Sequence, residues 1–163
     1  MKKSIITLAL IALPMFGLAQ SKVSVEATGG ILNIGKDIGE NYELGFNYHI
    51  SEVTTFKLSG LASNLDNRAN DFGYQVLKFS LHAERRLAGS DDIEMGLLFG
   101  VSYLTVQDKL PLDKNDFTGL DLGLNINFFP KKKFSFGTKL VSTYAYEAPG
   151  GILQANGFVN YRF

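Results

Sequence analysis

The chain contains no cysteine and no tryptophan, and only two of its 163 residues are histidines. Without cysteine it forms neither a disulfide framework nor a cysteine-ligated zinc site, and two histidines argue against a multi-histidine metal site. Basic and acidic residues number 16 each, so the basic excess typical of nucleic-acid-binding proteins is missing. We therefore expect no metal, no cofactor and no nucleic-acid partner.

The sequence also lacks an apolar run long enough to form a membrane-spanning helix. The segment from Ile5 to Phe16 is almost entirely apolar, but it contains Pro14 and is shorter than the roughly 20 residues that such a helix needs. Two lysines precede this segment, and Gly17 and Ala19 place small residues at positions −3 and −1 of a cut before Gln20, which is the layout of a secretory signal peptide. We expect cleavage near Ala19, so that residues 1–19 are a signal peptide and residues 20–163 form one domain.

The domain alternates apolar and polar residues with a period of two, which is typical of β-strands. The 17 glycines, 13 phenylalanines and 7 tyrosines of the whole chain fit strands better than helices. Only the first residues of the fourth strand depart from this pattern, and a bulge near Gln75 or Val76 would restore the alternation. The pattern predicts eight strands, at about residues 22–34, 40–50, 53–64, 72–87, 93–107, 117–128, 134–146 and 152–163.

Each strand has an apolar face and a polar face, and their composition indicates which face points outward. The apolar faces carry no charge in their central parts, and the polar faces are rich in Gly, Ser, Asn and Gln. A soluble barrel tends to have a richly charged exterior, whereas the narrow lumen of an eight-stranded membrane barrel is filled by side chains. The sequence therefore predicts an all-β fold, an eight-stranded antiparallel up-and-down transmembrane β-barrel.

Aromatic residues cluster near the two ends of these strands, as expected for the aromatic girdles of an outer-membrane barrel. The set assigned to the outer rim is Tyr42, Phe72, Tyr74, Tyr103, Tyr144 and Tyr146. The set assigned to the inner rim is Tyr48, Phe56, Phe128, Phe134, Phe136, Tyr161 and Phe163.

The domain resembles the small bacterial outer-membrane barrels of the OmpA/OmpX type. The resemblance is carried by the architecture and by the last strand, in which Tyr161 and the terminal Phe163 match the membrane assembly signal of that family. It implies a monomer in the outer membrane of a Gram-negative cell envelope. It also implies contacts with outer-membrane lipid and with the barrel insertion machinery.

Charged residues on the polar faces are predicted to form a network across the lumen. Near-balance of the two signs suggests pairing, because an unpaired buried charge is costly. The predicted network comprises Glu26, Glu43, Lys57, Lys78, Glu84, Arg86, Glu94, Asp121, Lys139, Glu147 and Arg162.

A lipid-modifying enzyme needs a histidine beside a nucleophilic serine and a carboxylate. The candidates here are His49 and His82, both predicted in the lumen near the inner rim, with Ser80 and Glu84 on the same face as His82. That spacing follows from strand alternation alone, so we expect no catalytic residue and no enzyme.

The sequence thus favours a non-enzymatic barrel with a structural, membrane-integrity or surface-interaction role and an unidentified surface or periplasmic partner. Three alternatives remain open at this stage: a narrow channel or small-ligand transporter, a lipid-modifying outer-membrane enzyme, and a soluble secreted barrel that binds an apolar ligand. The predicted outer loops are short, at about residues 35–39, 65–71, 108–116 and 147–151.

Overall fold

A computed structural model describes residues 22–67, 72–107, 115–145 and 150–163 of the chain. The predicted signal peptide, residues 1–19, lies outside the described residues, as do Tyr146 and Glu147. Among the residues that are described, no helix is long and apolar enough to cross a membrane.

Eight antiparallel strands pair in sequence order, and β1 pairs with β8 to close a barrel. This confirms the predicted fold class. The predicted boundaries are close to those observed, although β2 begins and β3 ends further into the outer connections than expected. The strands are β1 Val23–Ile34, β2 Asp37–His49, β3 Thr54–Asn67, β4 Phe72–Gly89, β5 Ile93–Gln107, β6 Asp116–Phe128, β7 Phe134–Ala145 and β8 Ile152–Arg162.

The barrel has two different ends. The lower end carries the start of β1, the end of β8 and the turns at residues 50–53, 90–92 and 129–133. The upper end carries the other connections, beginning with a two-residue turn between β1 and β2. Gly35 occupies this turn with a φ of 61°, a left-handed conformation that glycine adopts without steric cost.

The outer surface of the barrel is apolar around its middle. Outward-facing Leu, Phe, Val and Tyr side chains from all eight strands are exposed. Exposed members include Leu44, Leu58, Phe79, Phe99, Leu122, Leu140 and Val159. A continuous apolar surface of this size is typical of a site that contacts lipid or another apolar surface.

The upper half of the lumen is apolar, which the sequence did not lead us to expect. Buried side chains from seven strands form one cluster there, and Leu65 at its centre is 0% exposed. The cluster comprises Leu32, Ile34, Leu61, Leu65, Tyr74, Val76, Leu104, Val106, Phe117, Ala145 and Ile152. We call it the upper core.

The upper core corrects two predictions. Tyr74 does not belong to the outer aromatic girdle: it points inward, is 3% exposed, and donates a hydrogen bond of 2.9 Å to Asp37 Oδ2. No bulge occurs near Gln75 or Val76, where pairing with β3 and β5 is regular. The irregularity of β4 lies between Arg86 and Ala88 instead. Val76 fits the normal alternation because the lumen is apolar at this height.

The upper core should contribute more to stability than the outer apolar surface does. Replacing Leu65 by Ala leaves a cavity among side chains that relax only partly, so we expect a loss of about 2–5 kcal/mol in the free energy of unfolding. Leu58 on the same strand is 60% exposed on the outside. Leu58→Ala leaves no cavity, because detergent or lipid fills the space. Denaturant unfolding in micelles measures both, and equal losses would contradict this assignment of the core.

Candidate functional site

The lower half of the lumen is polar, and its most buried acid is Asp121 on β6. Lys78 Nζ lies 3.1 Å from Asp121 Oδ2, and His82 Nε2 lies 2.7 Å from the same oxygen. Ser102 and Thr143 donate hydrogen bonds of 3.0 and 2.5 Å to Asp121 Oδ1. Lys78 also donates a 2.8 Å hydrogen bond to Thr143 Oγ1. This cluster joins β4, β5, β6 and β7. Its hydrogen bonds offset the desolvation cost of burying the Lys78–Asp121 ion pair.

A second group of charges alternates in sign across the lumen. Lys57 on β3 lies 2.7 Å from Glu84 on β4 and 3.1 Å from Glu26 on β1. Lys139 on β7 lies 3.0 Å from Glu26 and 3.0 Å from Glu43 on β2. Each lysine thus bridges two carboxylates, and the chain of ion pairs ties together five strands that are not all neighbours in the sheet.

Neutral side chains complete this second group. Gln154 on β8 donates a 2.6 Å hydrogen bond to Oε2 of Glu43, the acid at one end of the chain of ion pairs. Asn41 donates to Asn156 Oδ1 at 3.0 Å, and Asn156 donates to Thr28 Oγ1 at 3.2 Å. The polar lumen is therefore satisfied largely by contacts within the protein.

Glycines on the inner face make room for these long side chains. A Cβ atom at Gly100 would collide with the Leu81 carbonyl and with the ring of His82 on the neighbouring strand. A Cβ atom at Gly96 would collide with the amide of Asn125 and lie 2.8 Å from Glu84 Oε1.

Below these ion pairs the lumen widens into a cavity of about 510 Å³. Turn residues at Ile50–Glu52 and Pro130–Lys131 border it, so it opens at the lower end. Arg86 Nε lies 3.5 Å from Glu94 Oε2 on one side of this cavity, and Arg162 contacts His49 Nε2 at 3.3 Å. We call this cavity the lower vestibule.

The structure brings most of the predicted lumen residues into contact. Glu26, Glu43, Lys57, Lys78, Glu84, Asp121 and Lys139 are buried and paired, whereas Arg86, Glu94 and Arg162 are partly exposed in the lower vestibule. Glu147 lies outside the described residues.

Sequence reasoning missed the neutral partners of these charges. Ser102, Thr143 and Gln154 share the inner face with them, but Ser, Thr and Gln occur on this face of nearly every strand. The useful signal would have been strand register, since Thr143 sits directly opposite Asp121 in the β6–β7 ladder.

Among the described residues, neither histidine contacts both a serine hydroxyl and a carboxylate. His82 and Ser102 both contact the carboxylate of Asp121, so the serine bonds to the acid rather than to the imidazole. His49 Nε2 lies 3.0 Å from Ser24 Oγ, but its Nδ1 faces Thr55 Oγ1 at 2.9 Å instead of a carboxylate. Ser24 is itself 0% exposed.

The turns at the lower end carry charge on the outside of the barrel. Lys131 Nζ lies 2.5 Å from Asp91 Oδ1, and this hydrogen bond holds the pKa of the Asp91 carboxyl below its usual range. Lys132 stands over the ring of Phe129 at 5.6 Å. Within the described part of the chain, no group of three or more His, Asp or Glu side chains is placed to hold a metal ion.

Several solved outer-membrane barrels share this fold. The chain is similar to a major outer membrane protein from Thermus thermophilus, with a TM-score of 0.67 and 16% identity, covering 88% of this chain and 99% of that one. It is similar to the N-terminal β-barrel domain of Pseudomonas aeruginosa OprF, with a TM-score of 0.63 and 15% identity, covering 88% and 98%. It is also similar to the outer membrane enzyme PagL, with a TM-score of 0.59 and 16% identity, covering 86% and 99%.

These likenesses show that the chain has the fold of the eight-stranded outer-membrane barrels of the OmpA/OmpX type. No protein-family model matches the chain, and no curated protein matches it in sequence. Because barrels with this fold include an enzyme and other membrane proteins, the fold does not select an activity.

Asp121 should be the most sensitive acid of the lumen. Asp121→Asn keeps the side-chain shape but leaves the Lys78 ammonium buried without its counter-ion, which costs about 3–5 kcal/mol in the free energy of unfolding. Adding Lys78→Met to this variant should restore part of the loss, because the unpaired charge is then gone. Denaturant unfolding in micelles measures all three proteins.

Asp91→Asn is the matched control, because it removes an ion pair that lies on the surface. Exposed pairs contribute little to stability, so this variant should unfold at the same denaturant concentration as the unmodified protein. Comparable losses of unfolding free energy for Asp91→Asn and Asp121→Asn would show that the buried cluster contributes no more to stability than a surface ion pair.

Proposed function

We propose that this chain is an exported, monomeric outer-membrane protein whose barrel is sealed and non-enzymatic. Its role is structural or interactive: it maintains the integrity of the membrane or presents its loops to a partner at the surface or in the periplasm. The observation that carries the proposal is the combination of an uncharged apolar exterior with a lumen filled by the upper core and by ion pairs.

The exterior supports a lipid environment. From Tyr42 to Tyr48 on β2 and from Phe79 to Ala83 on β4, every outward-facing residue is apolar or aromatic. A charged side chain facing lipid at mid-membrane costs about 2–4 kcal/mol, so lipid-facing surfaces exclude charge. The strands are 11 to 18 residues long, which is enough for the roughly 9–11 residues of a tilted membrane-spanning strand.

Aromatic rings near the lower end support the assignment of one membrane interface there. Phe134 and Tyr161 lie 4.8 Å apart between ring centroids, and Tyr161 and Phe163 lie 5.2 Å apart. Aromatic girdles mark both interfaces of outer-membrane barrels. With the lower end in the periplasm, Tyr161 and Phe163 form the assembly signal that the barrel insertion machinery would recognise.

The contents of the lumen favour a sealed barrel rather than a channel. A permeating ion would have to pass the chain of ion pairs around Glu26 and then the upper core. The side chains of the upper core are apolar apart from the Tyr74 hydroxyl, which donates to Asp37, so they are poor substitutes for the water around an ion. The proposal gives the two histidines no catalytic role, because neither is paired with both a serine and a carboxylate.

Cell fractionation tests the location. The full chain should enter the outer-membrane fraction, resist extraction by salt and migrate faster on a denaturing gel before heating than after it, because a closed barrel resists unfolding. The processed protein should begin near Gln20. Recovery in the periplasm or medium without detergent would instead support a soluble barrel with an apolar ligand.

Planar-bilayer recording tests the seal. At neutral pH the inserted protein should give no stable conductance, because the upper core and the ion pairs around Glu26 fill the lumen above the lower vestibule. Protease protection in matched vesicles confirms insertion. A stable conductance that falls on Lys78→Gln or Lys139→Gln would contradict the proposal and support a narrow channel through the ion pairs.

A further inference from the structure

The lower vestibule has the size of a ligand site. Its volume of about 510 Å³ greatly exceeds the roughly 10–15 Å³ that one water molecule needs and falls within the range of about 300–1,000 Å³ for small-molecule pockets. The Lys57 ion pairs with Glu26 and Glu84 line its upper part, and residues of the lower turns border its other side. A solute entering from the lower side would therefore meet these ion pairs.

Buried polar atoms that border this cavity lack a hydrogen-bond partner among the described residues. They are Asn47 Oδ1, Asn125 Oδ1, Asn127 Oδ1 and Arg162 Nε. The Asn47 and Asn125 side chains belong to residues only 3% exposed. Asn47 is held in place because its amide nitrogen donates to Ser24 Oγ at 3.3 Å and to Asn160 Oδ1 at 3.2 Å. Buried polar groups are normally paired, so these atoms indicate a polar occupant.

The charges of the cavity are arranged asymmetrically. Arg162 on β8 lies on one wall, where it contacts His49 of β2 rather than a carboxylate in the described structure. Glu84 on β4 and Glu94 on β5 lie on the opposite wall with Arg86 of β4 and the unpaired oxygens of β6. Lys22, Lys57 and Lys131 also border the cavity, and Lys57 is paired with Glu84. The 3.5 Å contact of Glu94 with Arg86 is long for an ion pair and leaves this carboxylate able to accept another donor.

We propose that the lower vestibule binds a small zwitterionic solute, a molecule that carries both an ammonium and a carboxylate group. The carboxylate binds the Arg162 guanidinium, and the ammonium donates to Glu94 and to the amide oxygens of Asn125 and Asn127. A cation alone would leave the Arg162 guanidinium without a carboxylate, and an anion alone would leave the amide oxygens of Asn125 and Asn127 without a donor. Free amino acids and very short peptides have this chemistry and fit the volume.

The experiment uses the full mature barrel in detergent micelles with three probes of similar size. L-alanine carries both charges, ethylamine only the ammonium, and propionate only the carboxylate. Calorimetric titration or equilibrium dialysis should show saturable binding of L-alanine, with binding of either half-molecule weaker by about tenfold or more.

Matched substitutions locate the site. Arg162→Gln and Glu94→Gln should each weaken L-alanine binding by about tenfold. Arg85→Gln and Glu40→Gln make the same chemical changes at exposed positions away from the cavity and should leave binding unchanged. Faster migration of the unheated protein on a denaturing gel verifies that each variant is folded.

Three results would overturn the proposal. The first is absence of saturable L-alanine binding at about 10 mM, which would mean that water alone occupies the cavity. The second is binding of ethylamine or propionate as tight as that of L-alanine, which would indicate a simple ion site. The third is binding that survives both Arg162→Gln and Glu94→Gln in folded protein, which would place the ligand elsewhere.

Discussion

The narrow lumen of an eight-stranded barrel constrains everything else in this structure. Closing the sheet satisfies the backbone and removes the free edges, but it forces inward side chains from opposite walls against each other. They must therefore be complementary, either as packed apolar groups or as paired charges. The protein uses both solutions, one above the other: the upper core around Leu65, and the clusters centred on Asp121 and Glu26 below it.

Strand number, strand direction and the identity of the outer face could be predicted because each depends on alternation within a single strand. The interior of the upper half could not. Tyr74 and Val76 carry apolar side chains on the inner face, and a rule that assigns apolar residues to lipid and polar residues to the lumen places them wrongly. A membrane barrel with a partly apolar interior has apolar residues on both faces, and periodicity does not reveal which apolar residue points inward.

The candidate site shows a similar division. The charged residues of the lumen could be identified from sequence, because a charge on a strand with a lipid-facing side has to point inward. Their partners depend on contacts between strands far apart in the chain, such as Lys139 with Glu26, and on neutral donors such as Thr143. Those contacts are set by the register and shear of the closed sheet, which a single sequence does not specify. The lower vestibule and its unpaired amides could not be predicted either, because they too depend on the register and shear of the closed sheet.

The two halves of the lumen also make the two ends of the barrel chemically different. The upper core is apolar and buried, whereas the lower vestibule carries unpaired polar atoms and is bordered by the lower turns, beside the start of β1 and the end of β8. Within the described lumen, a polar solute therefore finds partners at the lower end. A conducting pore would need polar groups along its whole length, whereas the described lumen changes from ion pairs around Lys57, Lys139 and Asp121 to an apolar cluster around Leu65. This asymmetry favours the proposed sealed barrel over the channel alternative. It also favours the proposed binding role of the lower vestibule, because a solute that enters it reaches fixed charges of both signs.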